Sequence, residues 1–173
     1  MKRPETSLLL KCFGLLLLVV CLNVSCKNTG AALSANESAI VKDSITTMTK
    51  NIANDLSKKG PTAWLDYFED SPDFFMASDG QLAFKDYASA KKVILNTLVK
   101  GISKITLNWQ NIRVDPLTAT FANFGADFHE DLVLANGSTL TVDGYLTASA
   151  HFNGSKWKLR NMNWAIKAPE KKP

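Results

Sequence analysis

Residues 103–166 decide the fold, because from Ser103 onward the spacing of apolar residues changes from a helical period to an alternation. This stretch reads SKITLNWQNIRVDPLTATFANFGADFHEDLVLANGSTLTVDGYLTASAHFNGSKWKLRNMNWAI. Ile105, Leu107 and Trp109 alternate with polar residues, which is the period of a strand with one buried face. The alternation predicts that the second half of the chain folds as a sheet.

Short turn signals divide this half of the chain into long strands. They are Asp115-Pro116, Asn136-Gly137 and Asn153-Gly154. Between them the sequence predicts strands over 118–134, 139–152 and 156–166, after a first strand that begins near Ile105. Long strands joined by short turns are typical of an antiparallel meander.

A helical period opens the domain. Apolar residues recur at the spacing of one helix face from Ile40 to Leu56. Asn36 is the predicted N-cap of this helix, and Gly60 is its predicted end.

Further elements are predicted between this helix and the meander. A short second helix covers 62–69, an Asp79-Gly80 hairpin joins strands over 73–78 and 81–84, and a third helix covers 87–103. Helices followed by strands predict an α+β domain, with three N-terminal helices packed on a curved antiparallel sheet.

The first 26 residues resemble a bacterial secretory signal that ends on a cysteine. Lys2 and Arg3 supply positive charge, and a continuous apolar run follows over 12–22. This run is about half the length that a membrane-spanning helix of roughly 20 residues needs. Ser25-Cys26 then resembles a lipoprotein processing site, at which the cysteine is acylated and becomes the new N-terminus.

Two other interpretations of this segment stay open: an uncleaved membrane anchor, and ordinary cleavage after Ala32 with Gly30 at position −3. We predict a lipoprotein signal peptide over 1–25, a flexible tether over 26–36, the folded domain over 37–166 and a polar tail over 167–173. The domain would then be exported and held on a membrane by the lipid on Cys26, in the periplasm or at the outer membrane.

The cysteines and the charge balance exclude several classes of function. The three cysteines are Cys12, Cys21 and Cys26, so the mature domain has no cysteine for an internal disulfide, a metal ion or nucleophilic chemistry. The formal net charge of the whole chain is +4, and several positive residues lie in the signal segment and the tail. No basic stripe remains that would indicate binding of nucleic acid.

Three stretches of the predicted domain carry a resemblance to a known family. They are WLDYFEDSPDFFMASDG (64–80), FKDYASA (84–90) and NGSKWKLRNMNWA (153–165). In this order they resemble the nuclear transport factor 2-like superfamily, in the SnoaL-like branch that also contains relatives of ketosteroid isomerase. The resemblance covers 37–166 and implies a cone in which helices and sheet enclose one pocket, often within a homodimer formed by sheet packing.

The last strand departs from the pattern of that family. The family usually has a His and a Ser two residues apart, where this chain has Asn163 and Ala165. Neither side chain takes up a proton near neutral pH. The resemblance therefore implies a pocket that lacks this base, and we predict no catalytic residue.

Seven side chains form the predicted lining of the pocket. They are Trp64, Tyr67, Phe68, Phe75, Trp109, Asn161 and Asn163. Strict alternation places the two amides on one strand face with Trp157 and Leu159, and this face would be the inner one. The alternatives are that the amides bond neighbouring strands or face solvent, and that the aromatic residues are ordinary core.

The histidines are weaker candidates. Asp127 and His129 share a strand face, an arrangement that suits a general base. The other face of that strand carries the apolar set from Phe124 to Phe128, so we expect Asp127 and His129 to point to solvent, and His151 as well. Two scattered histidines make a poor metal site, and we predict neither a metal nor a cofactor.

Together these features predict a lipid-anchored domain that binds a small apolar or amphipathic ligand, or acts as an accessory module. The alternatives are a SnoaL-like isomerase, cyclase or hydrolase, and a protein-interaction module that uses the outer sheet face. An ionisable group with a strongly shifted pKa inside the pocket would favour the enzyme. A large exposed apolar sheet face would favour the interaction module.

Overall fold

The computed structural model describes residues 32–168 and shows helices first and a sheet afterwards, which confirms the predicted α+β class. The helical elements are α1 (Ala35–Lys59), a 3-10 turn (Gly60–Ala63), α2 (Trp64–Tyr67), α3 (Tyr87–Val93), a π-helical turn (Ile94–Leu98) and α4 (Val99–Gly101). The strands are β1 (Phe75–Ser78), β2 (Gln81–Phe84), β3 (Ile102–Thr118), β4 (Phe121–Leu134), β5 (Thr139–Phe152) and β6 (Trp157–Ile166).

Helix α1 begins before the predicted N-cap. The Ser34 hydroxyl accepts a hydrogen bond from the Glu37 backbone N–H, and the Glu37 carboxylate accepts one from the Ser34 N–H. This reciprocal capping box satisfies two amides at the helix start. Asn36 lies inside the first turn of the helix, so its assignment as the N-cap is wrong. The residue three positions after it is Ala39, whose side chain could not complete a capping box.

In the described part of the chain, six strands form one sheet in the order β2-β1-β6-β5-β4-β3. The Asp79-Gly80 turn joins β1 and β2 as predicted, with positive φ at both residues. All neighbouring strands are antiparallel except β1 and β6, which run parallel. The sheet is therefore mixed rather than purely antiparallel. The chain passes from β2 through the helices to β3 at the far edge of the sheet and returns through antiparallel strand pairs until β6 lies beside β1.

The predicted turn at Asp115-Pro116 is wrong. Strand β3 continues through both residues to Thr118, with Pro116 opposite Ala122 of β4. A proline is tolerated there because β3 is the edge strand of the sheet and its free side needs no N–H donor.

Strand β6 contains a β-bulge that breaks the predicted alternation. Opposite β5, Leu159 pairs with Ala150 and Asn161 pairs with Ser149. Arg160 is therefore an extra residue between two regular pairs, and both Arg160 and Asn161 lie on the same side of the strand.

The bulge decides which residues of β6 face the helices. Leu159 is fully buried, and Met162 and Trp164 are buried on the same inner face. Asn161 and Asn163 consequently face the outer side of the sheet, the solvent-facing alternative of the sequence interpretation.

The core lies between the helices and this inner face of the sheet. Helix α1 buries one apolar stripe, from Val41 to Leu56, and packs on β3. Trp157, which strict alternation would place with Leu159, is only partly buried and packs beside Phe152 with ring centroids 5.8 Å apart.

The signal peptide, the acylated Cys26 and most of the tether lie outside the described residues. Within 32–168, no helix is long and apolar enough to cross a membrane.

Candidate functional site

A cavity of about 240 Å³ lies between the helices and the inner face of the sheet. The helical side contributes Pro61, Trp64, Phe68, Ile94 and Leu98. Strands β1, β2 and β6 contribute Met76, Phe84, Met162 and Trp164. Strands β3 and β4 contribute Ile102, Ile105, Glu130 and Leu132. A mostly apolar concavity with a very few polar groups is the usual form of a small-molecule site.

Aromatic rings form one wall of this cavity. Trp64 stacks on Phe68 with centroids 5.6 Å apart, and it meets Trp164 edge to face at 5.9 Å and 89°. Phe128 packs against Trp164 at 3.9 Å, and Phe74 packs against Phe68 at 4.5 Å. Rings that are packed on both sides hold their positions, so the wall is preformed.

The lining also includes the π-helical turn. Ile94 and Leu98 are the first and last residues of this turn, and both line the cavity. A π-helical turn inside an α-helix is rare and often marks a functional site. Here it lies where α3 borders the cavity.

Glu130 places one carboxyl group among these apolar side chains. Burial raises its pKa from 4.5 to about 7. Among the described residues no charge or hydrogen bond offsets this effect, because burial is its sole cause. An isolated carboxyl in an apolar cavity can carry or release a proton near neutral pH.

The alternation of β4 explains why Glu130 points inward. It lies two residues beyond the buried Phe128, opposite Leu107 of β3, with Leu132 following on the same face. The sequence interpretation missed Glu130, although the inner series that starts at Phe124 extends to it. Its neighbours His129 and Asp131 make the segment look like an exposed charged run.

The structure divides the predicted pocket residues among several places. Trp64 and Phe68 line the inner cavity. Trp109 packs edge to face on Trp164 at 6.0 Å, and its buried indole N–H has no hydrogen-bond partner among the described residues. It contributes to the support of the aromatic wall rather than to the lining.

Phe75, Asn161 and Asn163 lie on the other side of the sheet. They line a groove of about 500 Å³ on the outer face, together with Arg113 and Tyr145. The bulge in β6 turns the amides to this side. Phe75 is 44% exposed, because its neighbour Phe74 is the residue that enters the core.

Tyr67 lies in a third place, a polar cleft between α1 and the β5–β6 hairpin. Its hydroxyl donates a hydrogen bond to the Asp55 carboxylate at 2.8 Å. Burial, and after it this hydrogen bond, raises the pKa of Tyr67. The Tyr67 hydroxyl is therefore hydrogen-bonded in this cleft and does not line the inner cavity.

The histidines lie on the outer face, as predicted. His129 Nδ1 is 2.8 Å from an Asp143 oxygen, and His129 Nε2 is 3.4 Å from Asp131. His151 Nδ1 is 3.3 Å from Glu69. No group of three ligating side chains suited to a metal ion occurs within 32–168.

Comparisons with known proteins bear on the fold. Comparison with models of protein families gives no match, and neither does comparison with curated proteins. A nuclear transport factor 2-like protein from Salmonella enterica serovar Typhimurium superposes with a TM-score of 0.65 at 20% identity, over 77% of this chain and 95% of that one.

Two further solved structures agree. A proposed scytalone dehydratase from Novosphingobium aromaticivorans gives a TM-score of 0.68 at 13% identity, over 78% of this chain and 89% of that one. The type 3 hexachlorocyclohexane dehydrochlorinase of Novosphingobium barchaimii gives 0.62 at 13% identity, over 78% and 92%. The fold is nuclear transport factor 2-like. At these identities the likeness is one of fold alone, so a function for this nuclear transport factor 2-like domain has to be argued from its own residues.

Proposed function

We propose that this domain binds a small, mostly apolar molecule in the inner cavity, with the Glu130 carboxyl as its polar anchor. The observation that carries the proposal is the cavity of about 240 Å³, walled by Trp64, Phe68 and Trp164. This volume lies just below that of most ligand pockets, which span roughly 300–1,000 Å³. The ligand is accordingly smaller than a typical drug molecule.

Two tryptophans in the wall make binding measurable without a label. We expect 1-naphthol, a neutral aromatic probe, to change the emission of Trp64 and Trp164 in a saturable way. Leu98→Phe adds volume inside the cavity and should weaken binding at least tenfold. Leu140→Phe is the matched control, because Leu140 is 50% exposed on β5. Equal affinity in both variants would show that the probe binds elsewhere.

The second candidate function is that of an acid–base enzyme, as in the SnoaL-like alternative. The pKa of about 7 at Glu130 favours it, since a general acid or base works best near the ambient pH. The discriminating experiment is hydrogen–deuterium exchange at the α-carbon of an added ketone such as 2-tetralone, followed by NMR. Exchange that is catalysed by the wild type and lost in Glu130→Gln would support the enzyme over the simple binder.

The outer face supports the remaining alternative, a protein interface. Phe75 and Tyr145 are exposed there beside a groove of about 500 Å³, and sheet packing in a homodimer would cover both. Native mass spectrometry of the mature domain tests this alternative.

We also propose that the domain is an exported lipoprotein anchored through Cys26. The support is the short apolar run over 12–22 and the Ser25-Cys26 junction. Intact-mass analysis of protein extracted from membranes should give an acylated N-terminus at Cys26. An N-terminus at Leu33 or at Met1 would contradict the proposal.

A further inference from the structure

We infer that the ligand of the inner cavity is an apolar amine, whose ammonium group pairs with the carboxylate of Glu130 and lies against the aromatic wall. The inference rests on the proposed function and names the chemical class of its ligand. It is drawn from what surrounds Glu130, from the arrangement of the rings, and from the ligand classes that the cavity disfavours.

The first step is that no counter-charge for Glu130 occurs within residues 32–168. The other lining residues, from the 3-10 turn, α2, the π-helical turn and strands β1, β2, β3, β4 and β6, are all aliphatic, aromatic, proline or methionine. Among the described residues, no titratable or charged side chain other than Glu130 itself therefore faces into the cavity. Glu130 is partly buried, and a carboxylate that has lost part of its hydration without gaining a partner is unfavourable. A ligand that supplies a positive charge offsets that cost.

The second step is that aromatic rings line the same cavity as this carboxyl group. Trp64 and Trp164 meet edge to face at 89°, and both line the cavity. Phe68 stacks on Trp64 and also lines the cavity. Faces of tryptophan and phenylalanine attract cations, most strongly where water is excluded. A carboxylate in a cavity lined by such rings suits an ammonium group that carries an apolar body.

The third step is that the cavity disfavours the other ligand classes. An anionic ligand would meet Glu130 and would find no cation on the described walls. A neutral ligand gives the ionised carboxylate no compensating charge, and it gains a hydrogen bond from Glu130 only when that group is protonated. The amine alone pairs with the ionised form.

This difference has a definite pH signature. Burial raises the pKa of Glu130 to about 7, so near that pH about half of the molecules carry a proton there. An ammonium group binds the ionised form, so binding lowers the pKa of Glu130 and releases protons. Amine affinity should rise as the pH increases through about 7 and stay high until the amine itself loses its proton, at about pH 10 for a lysine-like group.

The test uses three probes that share one apolar body: 3-phenylpropylamine, 3-phenyl-1-propanol and 3-phenylpropionate. Isothermal titration at pH 8 should show the amine binding at least tenfold more tightly than the alcohol, and the propionate most weakly. At pH 5.5 the preference for the amine should shrink at least threefold. Titration near pH 6.5 in two buffers of different ionisation enthalpy should report proton release for the amine and none for the alcohol.

Two variants assign the preference to Glu130. Glu130→Gln should keep the affinity for the alcohol and lose the preference for the amine. Asp131→Asn removes the same charge one residue away on the outer face, and it should keep the preference. If Glu130→Gln does not fold, the pH dependence and the proton release of the wild type decide the question.

The outcomes separate the two proposals. If the alcohol binds as tightly as the amine at pH 8, or if Glu130→Gln keeps the preference, the amine inference is wrong and the binding cavity stands. If none of the probes binds, and 1-naphthol does not bind either, the proposed function itself fails.

Discussion

Three consecutive residues of β4 show how differently the two faces of the sheet accommodate ionisable groups. His129 and Asp131 point outward, and His129 lies within 2.8 Å of Asp143 and 3.4 Å of Asp131. Glu130, between them, points inward among apolar side chains, and burial alone sets its pKa. The outer groups are paired and exposed to solvent, which is the ordinary state of charged groups on a protein surface. The inner group has no charged partner in the part of the chain that the structure describes, which makes it the functional candidate.

The bulge in β6 sets which residues of that strand face inward and which face outward. Deleting single residues of β6 tests this directly, and of all the changes predicted here we expect such a deletion to have the largest effect on stability. Removing Asn163 would place Trp164 directly after Met162 and turn the tryptophan to the outer face. Removing Arg160 would restore regular pairing and leave Leu159, Met162 and Trp164 on the inner face. We therefore expect loss of cooperative unfolding in the first variant and a folded protein in the second.

Near-ultraviolet circular dichroism and urea denaturation measure this pair of variants. The Arg160 deletion should still lose some stability, because Arg160 pairs with Glu69 and with Asp73 at 3.1 Å each. Equal collapse of both variants would contradict the view that the bulge is what sets the faces of β6.

Two tryptophans of the same strand sharpen the comparison at side-chain level. Trp164 is 8% exposed and packs on Trp64, Trp109 and Phe128. Trp164→Ala should lower the free energy of unfolding by about 3–5 kcal/mol, the usual cost of deleting a buried aromatic side chain. Trp157 is only partly buried, so Trp157→Ala should cost clearly less. Urea denaturation curves that give equal losses would show that Trp157 is core.

The pH dependence of stability should identify the buried carboxyl group. The folded pKa of Glu130 lies at about 7, above the value of 4.5 for a free glutamate, so folding favours its protonated form. The wild type therefore loses stability as the pH rises from about 4.5 through 7. With about 1.4 kcal/mol for each pKa unit, the loss is on the order of 3 kcal/mol.

Glu130→Gln removes this titration and should be more stable than the wild type above pH 7, with the difference vanishing near pH 4.5. Thermal melts of both proteins from pH 4.5 to 8.5 measure it, since the contributions of all other groups cancel in the difference. A difference that does not change with pH would mean that Glu130 is solvated.

The order of the elements follows from local rules and is predictable from the sequence. Asp79-Gly80 requires positive φ at two successive residues, and that turn forms where it was expected. The outward position of His129 follows from the apolar series on the other face of β4. Both inferences use only the nearest few residues of the chain.

The inner and outer faces of β6 could not be predicted in this way. The stretch KLRNMN contains no glycine or other mark of a bulge, so strict alternation places Asn161 and Asn163 with Leu159. The bulge at Arg160 is defined by how β6 pairs with β5, and this pairing is a non-local interaction that the sequence of β6 alone does not reveal. Glu130 is a different case, because the alternation of β4 already pointed it inward and its charged neighbours obscured the pattern.

His129 should give the smallest effect, and one of opposite sign to Glu130. The hydrogen bond to Asp143 raises the pKa of His129 above 6.5, and the charge of Asp131 adds to this. The charged histidine thus stabilises the fold below about pH 6.5, and the contribution disappears as the pH rises through the raised pKa. His129→Ala should leave the melting temperature unchanged at pH 8.5 and lower it slightly at pH 5.5.

The same variant checks whether the outer face takes part in function. His129 is solvent-exposed and lies across the sheet from the cavity, so His129→Ala should leave the affinity for 1-naphthol unchanged at both pH values. Any activity found for the domain should also survive this substitution. If activity vanished in His129→Ala while the melting temperature held, the outer cluster of His129, Asp131 and Asp143 would be the functional site, and the inner carboxyl group would not be.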